Sequence, residues 1–167
     1  MFKQQNSHKI LLFLVLSVII FTDQSTKIHF QQMFIAKNQQ NPLFEIIPNF
    51  LDFSYAENTG IAFSIDINGW FFNVLVGMIL ISLLIAIFFD YWIPFFKEIT
   101  GKLQKYSLPI VFILGGGFGN LIDRIRLHYV IDFIHFSFWP IFNIADSFVS
   151  IGSIILIYLL YKNKELE

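Results

Sequence analysis

The chain has 167 residues, short enough for one domain, and its net charge of −1 argues against nucleic acid as a partner. Hydrophobic residues make up 56% and charged residues 14%, against about half and about a quarter in soluble domains, so lipid is the expected solvent. Cys is absent, which excludes disulfides, thiol nucleophiles and thiolate metal sites.

Four apolar segments follow one another, at about residues 10–28, 69–89, 106–122 and 141–161. Each is close to the ~20 residues that a helix needs to cross a bilayer. Only helices or closed barrels satisfy their backbone in lipid, and these unbroken runs lack the alternation of barrel strands. The expected fold is a membrane all-α domain over residues 1–167, with four spans and a small extracytoplasmic β element at about 43–66.

The first segment opens like a signal peptide, with basic residues and an apolar core. FTDQSTK follows it and lacks a small-x-small cleavage pattern, so it reads as an uncleaved span. Asp23 and Lys27 stand at i and i+4 near its outer end and can pair. Ser25 and Lys27, at i and i+2, do not face each other as a Ser-Lys dyad would require.

Residues 29–68 form the largest segment outside the spans. QQMFIAKNQQNP is polar and loop-like. Leu51, Phe53 and Tyr55 then alternate with Asp52, Ser54 and Ala56, a strand pattern. Asn58-Thr59-Gly60 supplies turn chemistry, and residues 61–65 are expected to return as a second strand. The second span carries no charge and reads as scaffold. A loop with Pro94 and Gly101 leads to the third span, which ends in Gly115-Gly116-Gly117 and Gly119, small residues that allow close helix approach in lipid.

Lys3, Lys9, Lys97, Lys102, Lys105, Lys162 and Lys164 lie on one side; Lys27, Lys37, Arg124 and Arg126 lie on the other. The positive-inside rule puts both termini and the second loop in the cytoplasm. Asp123 and Asp146 then approach the outer face. A carboxylate in or beside hydrocarbon is a functional-site candidate.

Asp123 is expected to end the third span, and Asp146 to lie roughly 7 Å below the start of the fourth. Consecutive helices usually neighbour each other, so the two carboxylates can meet at one depth. Two carboxylates sharing a site cannot both ionise easily, which divides them into an acid and a base, as in aspartic proteases. The alternative is that both are structural, capping helices or pairing with Arg124 and Lys27. Asn120 and Asn143 each lie one helical turn before an Asp, on the same face. They and Asn58 can orient carboxylates or hold a peptide backbone; the plainer role is capping and turn formation. Arg126 reads as snorkelling to headgroups, and Arg124 either does the same or serves the site. His8, His29, His128 and His135 show no ligand spacing, so neither a metal nor another cofactor is expected. Trp70, Trp92 and Trp139 fall at segment ends, as interfacial aromatics do.

Five motifs in order, DQSTK, ENTGIAFS, GGGFGNLIDR, VIDFI and FNIADS, span most of the chain. Together they resemble lipoprotein signal peptidase, or signal peptidase II, a family of bacterial membrane aspartic peptidases. The resemblance implies removal of the signal peptide from diacylated prolipoproteins, with the cut just before the lipid-bearing Cys, in the bacterial cytoplasmic (inner) membrane. It implies Asp123 and Asp146 as catalytic aspartates. Asn58, Gly60, Asn120, Arg124 and Asn143 are implied as substrate-binding residues, and Asp23 and Lys27 as structural support; Asp132 is expected to support the site from outside the catalytic pair. It also implies inhibition by the cyclic peptide globomycin. Partners are otherwise membrane lipid, and a monomer is expected. Two other readings are a small proton-coupled transporter and a noncatalytic assembly factor. Transporters place their sites near the midplane and often show repeats, whereas here the charges gather at one face and no repeat occurs. An assembly factor has no need of paired carboxylates.

Overall fold

The structure is a computed structural model that describes residues 2–60, 69–88 and 104–164. Its first element, α1 (Phe2–Ala36), has 35 residues and so spans about 52 Å, well beyond a ~30 Å hydrocarbon core. The expected segment 10–28 is only its middle. Leu12, Leu16, Ile19, Asp23, Lys27 and Phe30 are all buried and recur every three or four residues, one stripe along a helix. Ile10, Phe13, Leu14, Val18 and Phe21 stay exposed and face where lipid would be. The buried stripe thus begins in leucines and ends in an ion pair.

The chain then forms β1 (Phe44–Ile47), β2 (Leu51–Asn58), α2 (Gly69–Phe88), a 3-10 turn at Gln104–Tyr106, α3 (Ser107–Leu127), β3 (Val130–Phe136), β4 (Trp139–Phe142) and α4 (Ile144–Lys164). Helices at 7–36, 107–127 and 144–163 are long and apolar enough to cross a membrane, and α2 carries a shorter apolar stretch, Val76–Phe88. Leu12 and Leu16 of α1, Leu80 and Ile87 of α2, and Ile110, Val111 and Leu114 of α3 make one core.

α3 and α4 pack backbone to backbone through glycine. A Cβ at Gly116 would run into the Ala145 carbonyl, and one at Gly152 would lie 2.7 Å from the Pro109 carbonyl. This close approach is the use of the glycine run that small residues serve in membrane helices. Pro109 sits in the first turn of α3, where a missing N–H costs nothing. His128 ends the helix in the left-handed conformation (φ 69°), its N–H donating to the Arg124 carbonyl.

The strands form one antiparallel sheet in the order β1-β2-β3-β4. Its second core, Phe30, Leu43, Tyr55, Ile131 and Phe133, seats it on the far end of α1. The Asn41 side chain donates to the Tyr55 carbonyl and accepts from the Tyr55 amide, so it mimics one more strand residue. A register shift after Phe53 sets Ala56 opposite Asp132.

Several expectations change here. The β element begins where expected, but its hairpin is β1–β2, with Pro48 and Asn49 at the turn. Residues 61–65, the expected return strand, lie outside the described residues, as does most of the 90–105 loop. The segment that carries Asp132 is itself a hairpin, β3–β4, that completes the sheet. α3 continues to Leu127, so Asp123 lies a full turn inside it. α4 starts at Ile144, so Asp146 is in its first turn and not about five residues deep. The shift follows from Asn143, whose side chain caps α4 and so fixes its first residue at Ile144, while Pro140 sits in the short edge strand β4.

Candidate active site

The site is built where α1, α3, β3 and the start of α4 converge. Asn143 caps α4: its Oδ1 accepts the Asp146 amide at 2.8 Å, and its own amide donates back to Asp146 Oδ2 at 3.3 Å. This reciprocal pair is a capping box with Asp in the third position. The next free amide, of Ala145, donates to Asp23 Oδ1 at 2.9 Å. Carboxylates at a helix N-terminus are favoured by its dipole.

Asn143 also reaches β3. Its Nδ2 donates to Asp132 Oδ1 at 2.6 Å, and lies 3.1 Å from Asn120 Oδ1 and 3.2 Å from the Ile131 carbonyl. Asn120 Nδ2 donates to Asp146 Oδ1 at 2.7 Å. Asn58 Nδ2 donates to Asp132 Oδ2 at 3.0 Å, and its Oδ1 accepts the Gly60 amide at 3.1 Å. Arg124 donates to the Gly60 carbonyl at 3.0 Å, and its guanidinium interacts electrostatically with Asp146, Asp132 and Asp123. Asp132 and Asp146 are therefore joined through two neutral amides, Asn143 and Asn120, with Arg124 as the nearby cation.

Asp132 is 1% exposed. Burial raises its carboxyl to about 7, and the charge of Asp146 adds to the rise; hydrogen bonds from Asn58 and Asn143 and the charge of Lys27 oppose it. The carboxyl therefore holds its proton up to neutral pH.

Asp123 is engaged differently. Lys27 Nζ lies 2.9 Å from Asp123 Oδ2, 2.9 Å from Asp23 Oδ2 and 2.8 Å from Asn120 Oδ1, which uses all three ammonium donors. Asp123 Oδ2 also accepts the Ile131 amide at 3.2 Å, and Oδ1 accepts Gln24 Nε2 at 2.9 Å. Lys27, Asp23 and Asp123 are all nearly inaccessible. Buried charges persist only when paired and hydrogen-bonded; here one ammonium serves two carboxylates, and Gln24 with the Ile131 and Ala145 amides supplies further donors.

The residues singled out in the sequence thus gather at one place, but the three aspartates divide otherwise than expected. Asp123 was the expected partner of Asp146, with Asp132 outside. The hydrogen bonds instead tie Asp123 to Lys27 and link Asp132 to Asp146. Gln24 and Gly119 carry roles that the sequence analysis did not assign. Gln24 Nε2 also donates to the Gly119 carbonyl at 3.1 Å, and a Cβ on Gly119 would lie 2.5 Å from Asp23 Oδ2. A polar residue beside Asp23 in an apolar span was the available signal for Gln24. Among the described residues, no cluster of three or more His, Asp or Glu side chains is arranged to hold a metal.

Residues 15–162 match the family described as signal peptidase (SPase) II. A lipoprotein signal peptidase of Caldanaerobacter subterraneus subsp. tengcongensis is 39% identical, over 87% of this chain and 92% of that relative. One from Streptococcus agalactiae serotype V is 35% identical, over 93% and 95%. A bacterial membrane enzyme solved by the in meso method at 2.3 Å superposes with a TM-score of 0.74 at 30% identity, covering 94% of this chain and 91% of that one. The chain belongs to the signal peptidase II family, and it is a membrane protein.

Proposed function

We propose that this chain is an intramembrane aspartic endopeptidase that removes the signal peptide from diacylglyceryl-modified prolipoproteins, cutting just before the lipidated Cys. Its reactive pair is Asp132 and Asp146. The observation that carries this reading is Asn143, which donates to both carboxylates, from Nδ2 to Asp132 and from its backbone amide to Asp146, while Asp123 is ion-paired with Lys27. Asp132 enters as the acid and Asp146 as the base. Asp146 takes a proton from water as its oxygen attacks the scissile carbonyl, and Asp132 protonates the carbonyl oxygen. The tetrahedral diol then collapses: Asp146 passes its proton to the leaving amine, Asp132 recovers its own, and the C–N bond breaks. Arg124 steadies negative charge on the pair, and Asn58, Gly60 and Asn120 line the substrate's path.

In the same reading the chain has four spans, α1 to α4, with both termini cytoplasmic and the site near the outer face of the bacterial cytoplasmic membrane. A substrate held by acyl chains and an apolar signal helix meets the pair at that depth and enters laterally. Asp23, Lys27 and Asp123 position the site, and globomycin competes for it.

The test is to mix purified protein with a diacylated prolipoprotein and with its unlipidated form. Release of the signal peptide from the lipidated form alone, blocked by globomycin, is expected. No release, or equal cutting of both forms, would contradict the reading.

A further inference from the structure

The sheet has a second end. β1–β2 and β3–β4 turn side by side, joined by the Ser137 amide donating to the Phe50 carbonyl at 3.1 Å. There the chain exposes Ile47 (47%), Phe50 (44%), Phe138 (69%) and Trp139 (53%). Phe50, Phe136 and Phe138 form a mutual cluster with ring centroids 5.7 Å apart. Neither turn, 46–51 or 136–142, carries a charged residue, and the charges that flank them are engaged: Glu45 accepts the Asn49 amide and Asp52 pairs with His135. Contiguous exposed apolar surface of this kind marks an interaction site.

We propose that these paired hairpin tips dip into the bilayer leaflet on the sheet's side, as a shallow lipid anchor separate from the spanning helices. Three observations favour lipid as the occupant. β4 starts at Trp139 and α4 at Ile144, so the tip is five residues from a spanning helix, at most about 17 Å of extended chain. The β3–β4 hairpin directly connects α3 and α4, helices that expose Ile125 and Ile151, so the tip is tethered on both sides to apolar helices. The exposed side chains include Trp139, and Trp settles at the headgroup boundary. β3 carries Asp132 at its other end, so an anchored tip fixes the height of the site relative to the lipid. The inference needs only a membrane protein and is independent of the peptidase reading.

The chain has no Cys, so Ser137→Cys gives one attachment point for a nitroxide at the tip. Full-length protein in phosphatidylcholine vesicles is probed by collision with oxygen, which concentrates in lipid, and with a water-soluble nickel chelate. Oxygen is expected to dominate several-fold at position 137, and nickel at a control label on Gln40→Cys, which is exposed in the loop after α1. Adding F50S and F138S should move the 137 label several-fold toward nickel. Nickel dominance at 137 in the otherwise native chain would overturn the proposal. So would protection from both reagents, which means a protein partner, or indifference to F50S and F138S.

Discussion

The carboxylate of Asp123 accepts the amide of Ile131 at 3.2 Å, one residue before Asp132. The Ile131 carbonyl accepts Asn143 Nδ2 at 3.2 Å. Both backbone groups of Ile131 are therefore held, one by the Lys27 ion-pair network and one by the cap of α4. Asp132 is aimed by its neighbour's backbone. In the proposed mechanism Asp123 is a positioning residue, and the buried trio acts beyond its own stability.

Lys27→Met should be strongly destabilising. It leaves Asp23 and Asp123 buried without their cation, a loss of about 3–5 kcal/mol for a broken buried pair. A thermal melt in detergent measures it. Combining Lys27→Met with Asp23→Asn and Asp123→Asn removes the orphaned charges and should recover part of the loss; no recovery would mean that charge pairing is not what the trio supplies.

Gly116→Ala should separate α3 from α4. The added methyl meets the backbone carbonyl of Ala145, which cannot swing aside as a side chain can. Overpacking of this kind costs about 1–3 kcal/mol. Gly77→Ala is the comparison: its Cβ would lie 3.6 Å from Leu121, an ordinary contact, and its melt should stay near that of the parent.

Activity should fall on the basic side near pH 7, where Asp132 gives up the proton that the pair shares. The Asn58 hydrogen bond favours ionised Asp132, so Asn58→Ala should raise the carboxyl further and move the basic limb to higher pH. Asp123→Asn should leave that limb in place. Cleavage rates across pH for the three proteins check this. A limb that moves with Asp123 and ignores Asn58 would assign the proton elsewhere.

Topology has its own check. A cysteine at Lys162 should react only with reagent on the cytoplasmic side, and one at Gln40 only from outside, as the distribution of Lys and Arg predicts. Reaction of position 40 from the cytoplasm would reverse the orientation.

Much of this site was legible because membrane solvent makes polar residues conspicuous. Asp23, Lys27, Asn120, Asp123, Asn143 and Asp146 stand out in apolar runs, and they do converge. The choice among the aspartates was not legible. Spacing placed Asp123 and Asp146 at facing helix ends, but helix ends give depth and not side-chain direction. Asp123 is turned toward Lys27 by contacts across α1, which spacing cannot reveal. VIDFI held the missing signal: Asp132 sits in a β-branched and aromatic run between Val130 and Ile134, the pattern of a buried strand. Reading that run as a strand would have put Asp132 in the sheet beside Asn58. The start of α4 was set about three residues early because Ile141 and Phe142 are apolar enough to pass for helix, although Asn143, a good N-cap residue three before Asp146, marked the boundary.

In the proposed mechanism Asp132, with Asp146, performs the cleavage. The most direct measurement is single-turnover release of signal peptide from a diacylated prolipoprotein by Asp132→Asn and Asp123→Asn, each normalised to folded enzyme by its melt. Asp132→Asn should stay folded, melting somewhat earlier because one of the amides that donate to Asp132 then faces an NH2, and should lose about 10²–10⁴-fold or more in rate, as loss of a proton-transfer group does. Asp123→Asn should melt earlier yet retain at least about tenfold more rate per folded molecule than Asp132→Asn. A folded Asp132→Asn protein that cleaves at near-parental rate, beside a folded and inactive Asp123→Asn protein, would contradict the assignment and return Asp123 to the pair.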